Sequence, residues 1–70
     1  MTETIGEGGL TADQRASTVW HIHRECQYVG AICWRPADGE FKLYAQERLS
    51  AAELRDLAAF LERVNKEEGA

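Results

Sequence analysis

The chain has 70 residues, of which 44% are hydrophobic and 29% charged, and its formal net charge is −4. A chain of this length forms one domain with a modest core and has little room for a deep substrate pocket. Four of the twelve acids lie in the expected tails, which leaves eight acids against eight bases between residues 10 and 66. This balance argues against a domain-wide basic surface for nucleic acid. It argues nearly as strongly against an acidic surface that imitates DNA.

The cellular compartment is predicted from features that the sequence lacks. No apolar run approaches the length that crosses a bilayer, and the first ten residues have neither the basic start nor the apolar stretch of a secretory signal. We therefore expect a soluble, cytoplasmic protein. Cys26 and Cys33 are then expected to be reduced thiols rather than parts of a disulfide framework.

The first seventeen residues predict a tail followed by a short helix. Residues 1–9 have almost nothing apolar to bury, which is typical of a flexible tail. Residues 10–17 read LTADQRAS, and Thr11 and Gln14 have the spacing of a capping box. A second flexible tail is expected at residues 67–70, so a single α+β domain spans residues 10–66.

Three strands are predicted after the short helix. Residues 18–24, TVWHIHR, are rich in β-branched and aromatic side chains, and a break near Glu25 separates them from YVGAICWR at 28–35. A turn at residues 36–39 leads into FKLYA at 41–45. This turn sets a register of three favourable cross-strand pairs, which are Arg35 with Glu40, Trp34 with Phe41 and Ile32 with Leu43.

Residues 49–66 have the strongest helix pattern in the chain. Ser50 and Glu53 form a capping box. Apolar residues then recur on one helical face, at Leu54, Leu57, Ala58, Leu61 and Val64. The predicted fold class is α+β, in which a C-terminal helix covers one face of a three-stranded antiparallel sheet and a short N-terminal helix precedes it.

The second face of the predicted sheet is too apolar to lie bare in water. Strand alternation gives its residues, which form the predicted partner-binding site: His21, His23, Val29, Ala31, Cys33, Arg35, Lys42 and Tyr44. Residues 10–17, a second copy of the chain in a homodimer, or a different protein could cover them. The sequence favours a non-enzymatic module that binds another protein and acts by occupying its surface.

Two alternative functions use some of the same residues. Four side chains are of the types that bind zinc, although their spacing matches no zinc finger or knuckle: His21, His23, Cys26 and Cys33. Aromatic and basic side chains on a sheet can also stack single-stranded nucleic acid, but Tyr28 and Trp34 are expected beneath the helix. The favoured prediction includes no catalytic residue, metal or cofactor.

The strand–turn–strand–helix segment reads YVGAICWRPADGEFKLYAQERLSAAELRDLAAFL. In its small size and its few secondary-structure elements, it resembles small proteins encoded by bacteria and their phages. These include inhibitors of host defence systems, anti-CRISPR proteins among them, which are often short, acidic and non-enzymatic. The resemblance implies an inhibitor that occupies a surface on a larger complex, and it assigns no role to any single residue.

Overall fold

A computed structural model describes residues 2–7 and 9–69. Within them, five antiparallel strands form one sheet in chain order: β1 (Thr2–Ile5), β2 (Leu10–Ala16), β3 (Val19–Arg24), β4 (Gln27–Arg35) and β5 (Glu40–Ala45). The helix α1 (Ala51–Gly69) follows and packs against one face of the sheet. Each strand pairs with its neighbours in sequence, so β1 and β5 are the two edges.

The predictions of an N-terminal helix and of a three-stranded sheet are wrong. Residues 10–16 form β2, which pairs with β1 on one side and β3 on the other. Leu10 and Ala12 are 0% exposed, while Thr11 and Asp13 alternate with them and are partly exposed. This period of two, fixed by pairing on both sides, overrides the capping-box spacing that had indicated a helix.

The segment 1–9, expected to be a flexible tail, contains β1. Its pairing sets Ile5 opposite Leu10, and Ile5 is 2% exposed. In the connection to β2, Gly6 and Gly9 have φ angles of 55° and 87°. Glycine adopts this left-handed geometry without strain, so these glycines serve a hairpin connection.

The β4–β5 hairpin has the predicted register. Arg35 lies opposite Glu40, Trp34 opposite Phe41 and Ile32 opposite Leu43. The turn closes where the N–H groups of Asp38 and Gly39 donate to the carbonyl of Arg35, at 3.1 and 2.8 Å. The break predicted near Glu25 is also confirmed, because Glu25 has a φ of 56° and lies in the turn from β3 to β4.

The capping box at the start of α1 is confirmed, but the buried side of the helix differs from the predicted stripe. The Glu53 N–H donates to Ser50 Oγ at 3.1 Å, and the Ser50 N–H donates to Glu53 Oε1 at 2.8 Å. Leu54, predicted to be on the apolar face, is 49% exposed. Leu57 and Val64 of that stripe are buried as predicted, and they are joined by Glu53 and Phe60, whereas Ala58 is exposed.

Polar contacts near both ends of α1 fix this rotation. The Arg24 guanidinium donates to both carboxylate oxygens of Glu53, from Nε at 2.6 Å and from Nη2 at 2.9 Å. These bonds, with a second contribution from the Ser50 N–H, lower the pKa of Glu53 to about 2. Near the other end, Asn65 Oδ1 accepts from the Phe41 N–H at 2.6 Å, and Asn65 Nδ2 donates to the Phe41 carbonyl at 3.3 Å.

Both edge strands contact α1, so the sheet curves around the helix. Arg63 donates to Glu3 of β1, while Asn65 bonds to Phe41 of β5. The core lies between the sheet and the helix and comprises Ile5, Leu10, Ala12, Trp20, Ile22, Val29, Ile32, Phe41, Leu57, Phe60 and Val64. The other face of the sheet lies outside this core.

Candidate functional site

We call the sheet face opposite α1 the open face. It is built from alternate residues of all five strands, because successive side chains of a strand point to opposite sides. One row crosses the whole sheet, since these residues are successive cross-strand partners: Thr2, Asp13, His21, Ala31 and Tyr44. The predicted site residues lie on this face, with one exception.

That exception is Val29, which lies on the core side of the sheet, whereas its neighbour Tyr28 lies on the open face. A β-bulge interrupts the register, so that Ile22 pairs with Gly30 while His23 pairs with Tyr28. The extra residue, Val29, turns into the core and is 1% exposed. Val29 is therefore inaccessible to a partner, contrary to its predicted placement, and Tyr28 occupies the open face instead of lying beneath the helix.

His21, His23 and Tyr28 form an aromatic cluster near the centre of the open face. The Tyr28 ring meets both imidazoles edge-on, with centroids 5.2 Å from His21 and 5.7 Å from His23. All three side chains are partly exposed. The cluster combines aromatic surface with a phenol and two imidazoles, groups that pack and hydrogen-bond at recognition surfaces.

Small side chains form the floor beside this cluster. Ala31 lies between His21 and Tyr44 and is 9% exposed. Cys33 lies in the next row between Val19 and Lys42 and is partly buried. The floor is therefore low and apolar, with larger side chains on both sides.

A margin of mixed charge borders the floor on β4 and β5. Arg35 donates to the hydroxyl of Tyr44, and this bond raises the pKa of the guanidinium above its ordinary value. The Lys42 ammonium lies 3.5 Å from a carboxylate oxygen of Asp38 and 3.5 Å from one of Glu40. Because both signs of charge are present, this margin has no strong field of one sign.

A second margin lies on β1 and β2. Arg15 Nη1 donates to Asp13 Oδ2 at 3.0 Å, and Thr2 Oγ1 donates to Asp13 Oδ1 at 3.2 Å. These hydrogen bonds, chiefly the one from Arg15, hold the pKa of Asp13 below its usual value. Since Asp13 is also the cross-strand neighbour of His21, a carboxylate adjoins the aromatic cluster.

The four side chains of the zinc alternative do not form a metal site. Cys26 is exposed in the turn between β3 and β4, whereas Cys33 lies near the far end of β4. Across residues 2–7 and 9–69, no group of three or more His, Cys, Asp or Glu side chains could hold a metal ion. The geometry therefore does not support a zinc-stabilised module.

Two small clefts lie on the helix side of the sheet. The first, of about 200 Å³, is lined by residues of β1 and α1 that include Asp56 and Arg63. The second, of about 210 Å³, is lined by residues that include Gln14, Trp20 and Glu67. Both are smaller than the roughly 300–1,000 Å³ of typical small-molecule sites. The open face is the larger surface for recognition.

In the part of the chain that the structure describes, no helix is both long enough and apolar enough to cross a membrane. Comparisons with protein-family models, with curated proteins and with solved structures find no match for this chain.

Proposed function

We propose that this chain is a non-enzymatic, cytoplasmic module that binds another protein through its open face. It acts by occupying a surface of that partner, as a phage- or mobile-element-encoded inhibitor of a larger bacterial complex would. The observation that carries the proposal is the surface itself, which is five strands wide and has an aromatic and apolar centre between margins of mixed charge.

The centre of the open face departs from the usual composition of a solvated sheet. Antiparallel sheets with one face in water normally alternate apolar and polar residues. Here the outward positions of β3, β4 and β5 include Val19, Tyr28, Ala31, Cys33 and Tyr44. Apolar side chains on the outward face of a sheet favour an interface, although of these five only Tyr44 is more than partly exposed.

The margins favour a protein partner over a polynucleotide. Three bases adjoin three acids: Arg15, Arg35 and Lys42 with Asp13, Asp38 and Glu40. A protein interface combines a dry, apolar core with a polar rim, which this arrangement supplies. Nearby acids weaken binding to a phosphate backbone, because its affinity comes from phosphates that basic side chains neutralise.

The test uses three glutamate variants of the full chain. His21→Glu and Ala31→Glu place a carboxylate at the centre of the open face, whereas Ala52→Glu places one on the exposed side of α1. Circular dichroism first establishes that each variant retains the fold. Wild-type chain, immobilised through its C-terminus, then captures proteins from bacterial lysate, and any captured protein is purified and titrated against all four chains.

We expect one purified protein that binds wild-type chain and the Ala52→Glu variant with equal affinity. A folded His21→Glu or Ala31→Glu chain should bind it at least about tenfold more weakly, since burying an unpaired carboxylate costs more than 1.4 kcal/mol. Equal binding by all folded variants would overturn the proposal. So would capture of nothing but further copies of this chain through the open face.

A second function, binding of single-stranded nucleic acid, is favoured by the position of Tyr28. Tyr28 and Tyr44 both have exposed surface on the open face, where Arg35 and Lys42 also lie. Aromatic side chains on a sheet can stack unpaired bases, at about 1–3 kcal/mol per base. This function therefore has more support from the structure than from the sequence pattern.

Fluorescence anisotropy with a labelled oligo-dT strand tests this second function. The expected result is binding that weakens steeply between about 50 and 200 mM salt and is reduced by Tyr28→Ala. Tyr28→Phe is the control, because phenylalanine retains the stacking ring. Absence of binding at low salt, or binding that is unchanged in Tyr28→Ala, would exclude it.

A further inference from the structure

Two exposed large hydrophobic side chains border the same edge of the sheet. Tyr44, on the open face of β5, is 41% exposed, and Leu54, on α1, is 49% exposed. Leu54 shares a helical stripe with Ala58, Leu61 and Asn65, because their spacings of four, three and four residues follow one side of a helix. Since Asn65 contacts β5, Leu54 lies on the flank of α1 that faces this strand.

The backbone of β5 has free hydrogen-bonding groups between these two side chains. Residues of an antiparallel edge strand direct their N–H and C=O groups alternately inward and outward. The N–H of Phe41 points outward to Asn65, whereas the N–H of Gln46 points inward to the Val29 carbonyl at 2.8 Å. Leu43 and Ala45 are therefore outward residues, and among the described residues neither has a recorded hydrogen bond at this edge.

The opposite edge of the sheet is closed by charged contacts. Glu3 of β1 accepts a hydrogen bond from Arg63 of the helix. At the end of β1, Gly6 lies so close to the Asp56 carboxylate that a Cβ at this position would collide with it. Edge strands that are covered or charged resist pairing with other chains. Among the described residues, no charged side chain makes a comparable contact with the edge of β5 at Leu43 and Ala45.

We propose that a second copy of this chain pairs with β5 in antiparallel orientation, about a twofold axis at Tyr44. Leu43 of each copy then lies opposite Ala45 of the other, and each such pair exchanges two backbone hydrogen bonds. Tyr44 of one copy then faces Tyr44 of the other across the axis, on the side of the open face. The two five-stranded sheets become one continuous sheet. This proposal does not depend on the proposed function, because it uses the strand edge rather than the open face.

Contacts and charges of β5 argue against the registers with axes at Phe41, Lys42 and Leu43. An axis at Phe41 or Leu43 would require backbone groups of Phe41 that Asn65 already occupies. An axis at Lys42 would place two ammonium groups directly opposite each other, which is destabilising. The axis at Tyr44 uses only free groups and sets each Lys42 opposite Gln46 of the other copy.

The flank of α1 supplies the remaining contact area and favours a second copy as the occupant. A stable dimer buries about 800 Å² per partner, which is more than a few edge hydrogen bonds cover. Joining the sheets at β5 brings the two helices side by side on one face, along the stripe of Leu54, Ala58 and Leu61. This stripe has no charged residue, so it can pack against its own symmetry mate without repulsion.

Sedimentation equilibrium of the full chain is the first test. We expect a two-chain species whose dissociation constant rises at least about tenfold in Leu54→Glu, because each copy would bury an unpaired carboxylate against the apolar flank of the other. Ala52→Glu, on the exposed outer side of the helix, should associate like wild type. If Leu54→Glu does not fold, Ala58→Glu tests the same flank. A single-chain species at all concentrations would overturn the proposal, as would equal association by all folded variants.

Disulfide trapping then tests the register. The Cα atoms of a non-hydrogen-bonded antiparallel pair are about 4.5 Å apart, which a disulfide can span. Tyr44→Cys should therefore form a covalent two-chain species under mild oxidation. Lys42→Cys, combined with Cys33→Ser because Cys33 is its cross-strand partner and could capture the new thiol, should not exceed the background set by Cys26. Trapping of Lys42→Cys in place of Tyr44→Cys, or of neither variant above background, would overturn the twofold axis at Tyr44.

Discussion

The two faces of the sheet use the same strands for different purposes. On the helix side, Leu10, Ile22 and Ile32 are 0% exposed and belong to the core. On the open face, the adjacent residues His21 and Cys33 are only partly buried. Because successive side chains alternate between faces, each strand stabilises the fold and presents a surface at once. Substitutions one residue apart should therefore have very different effects on stability.

The largest expected difference lies between two neighbours in β3. Ile22→Ala should reduce the free energy of unfolding by about 2–5 kcal/mol, because it removes buried methyl groups and leaves a cavity. His21→Ala should change it by about 1 kcal/mol or less, because the side chain is partly exposed and lies outside the core. Urea denaturation measures both values. Equal losses for the two variants would contradict the division of the sheet into a core face and an open face.

The bulge in β4 can be tested in the same way. Val29→Thr keeps the shape but buries a hydroxyl, which should cost about 2 kcal/mol in the free energy of unfolding if Val29 lies in the core. Tyr28→Phe should cost about 0.5 kcal/mol or less, because Tyr28 lies on the open face. A neutral Val29→Thr variant would show that β4 runs without a bulge.

The helix that covers the core face depends on its cap. Ser50→Ala removes the hydroxyl that accepts from the Glu53 N–H and should cost about 1 kcal/mol in the free energy of unfolding. Ser17→Ala, in the exposed turn between β2 and β3, is the matched control and should be neutral. Thermal denaturation of both variants in parallel would reveal any loss that does not come from the cap.

The change expected from Glu53→Gln depends on pH, because glutamine keeps the size of the side chain and one hydrogen-bonding oxygen but loses the charge that pairs with Arg24. The folded pKa of about 2 lies below the ordinary value of 4.5. The stability that this carboxylate contributes is therefore complete above about pH 4.5 and is lost as the pH falls through 2. Acid titration of both chains should show wild type more stable at pH 7, with the difference vanishing near pH 2. A constant difference would contradict the assignment.

The elements that sequence analysis predicted correctly are those whose signals are local. The capping box at Ser50 and Glu53 and the turn at residues 36–39 each lie within a few residues. The register of β4 and β5 follows directly from the length of that turn. Local hydrogen bonds and turn geometry decide these elements, so the sequence pattern is sufficient.

The errors come from elements that tertiary pairing decides. β2 contains only Leu10 and Ala12 as core residues, so its strand pattern is weak until β1 and β3 pair with it. The bulge at Val29 reverses the alternation for the residues before it, and the sequence signal for it was Gly30, an isolated glycine within a strand. For this reason the sequence pattern assigned most residues of the open face to the correct side of the sheet, but it exchanged Tyr28 with Val29.

Hydroxyl-radical footprinting tests the central claim that the open face is bare in the free chain and covered in the complex. Oxidation should modify His21 and Tyr28 in the dilute free chain, while Trp20 and Phe60 stay protected, since these two are 6% and 5% exposed. Addition of the captured protein partner should protect His21 and Tyr28. Protection of both residues in the free chain, or their continued oxidation in the complex, would contradict the account.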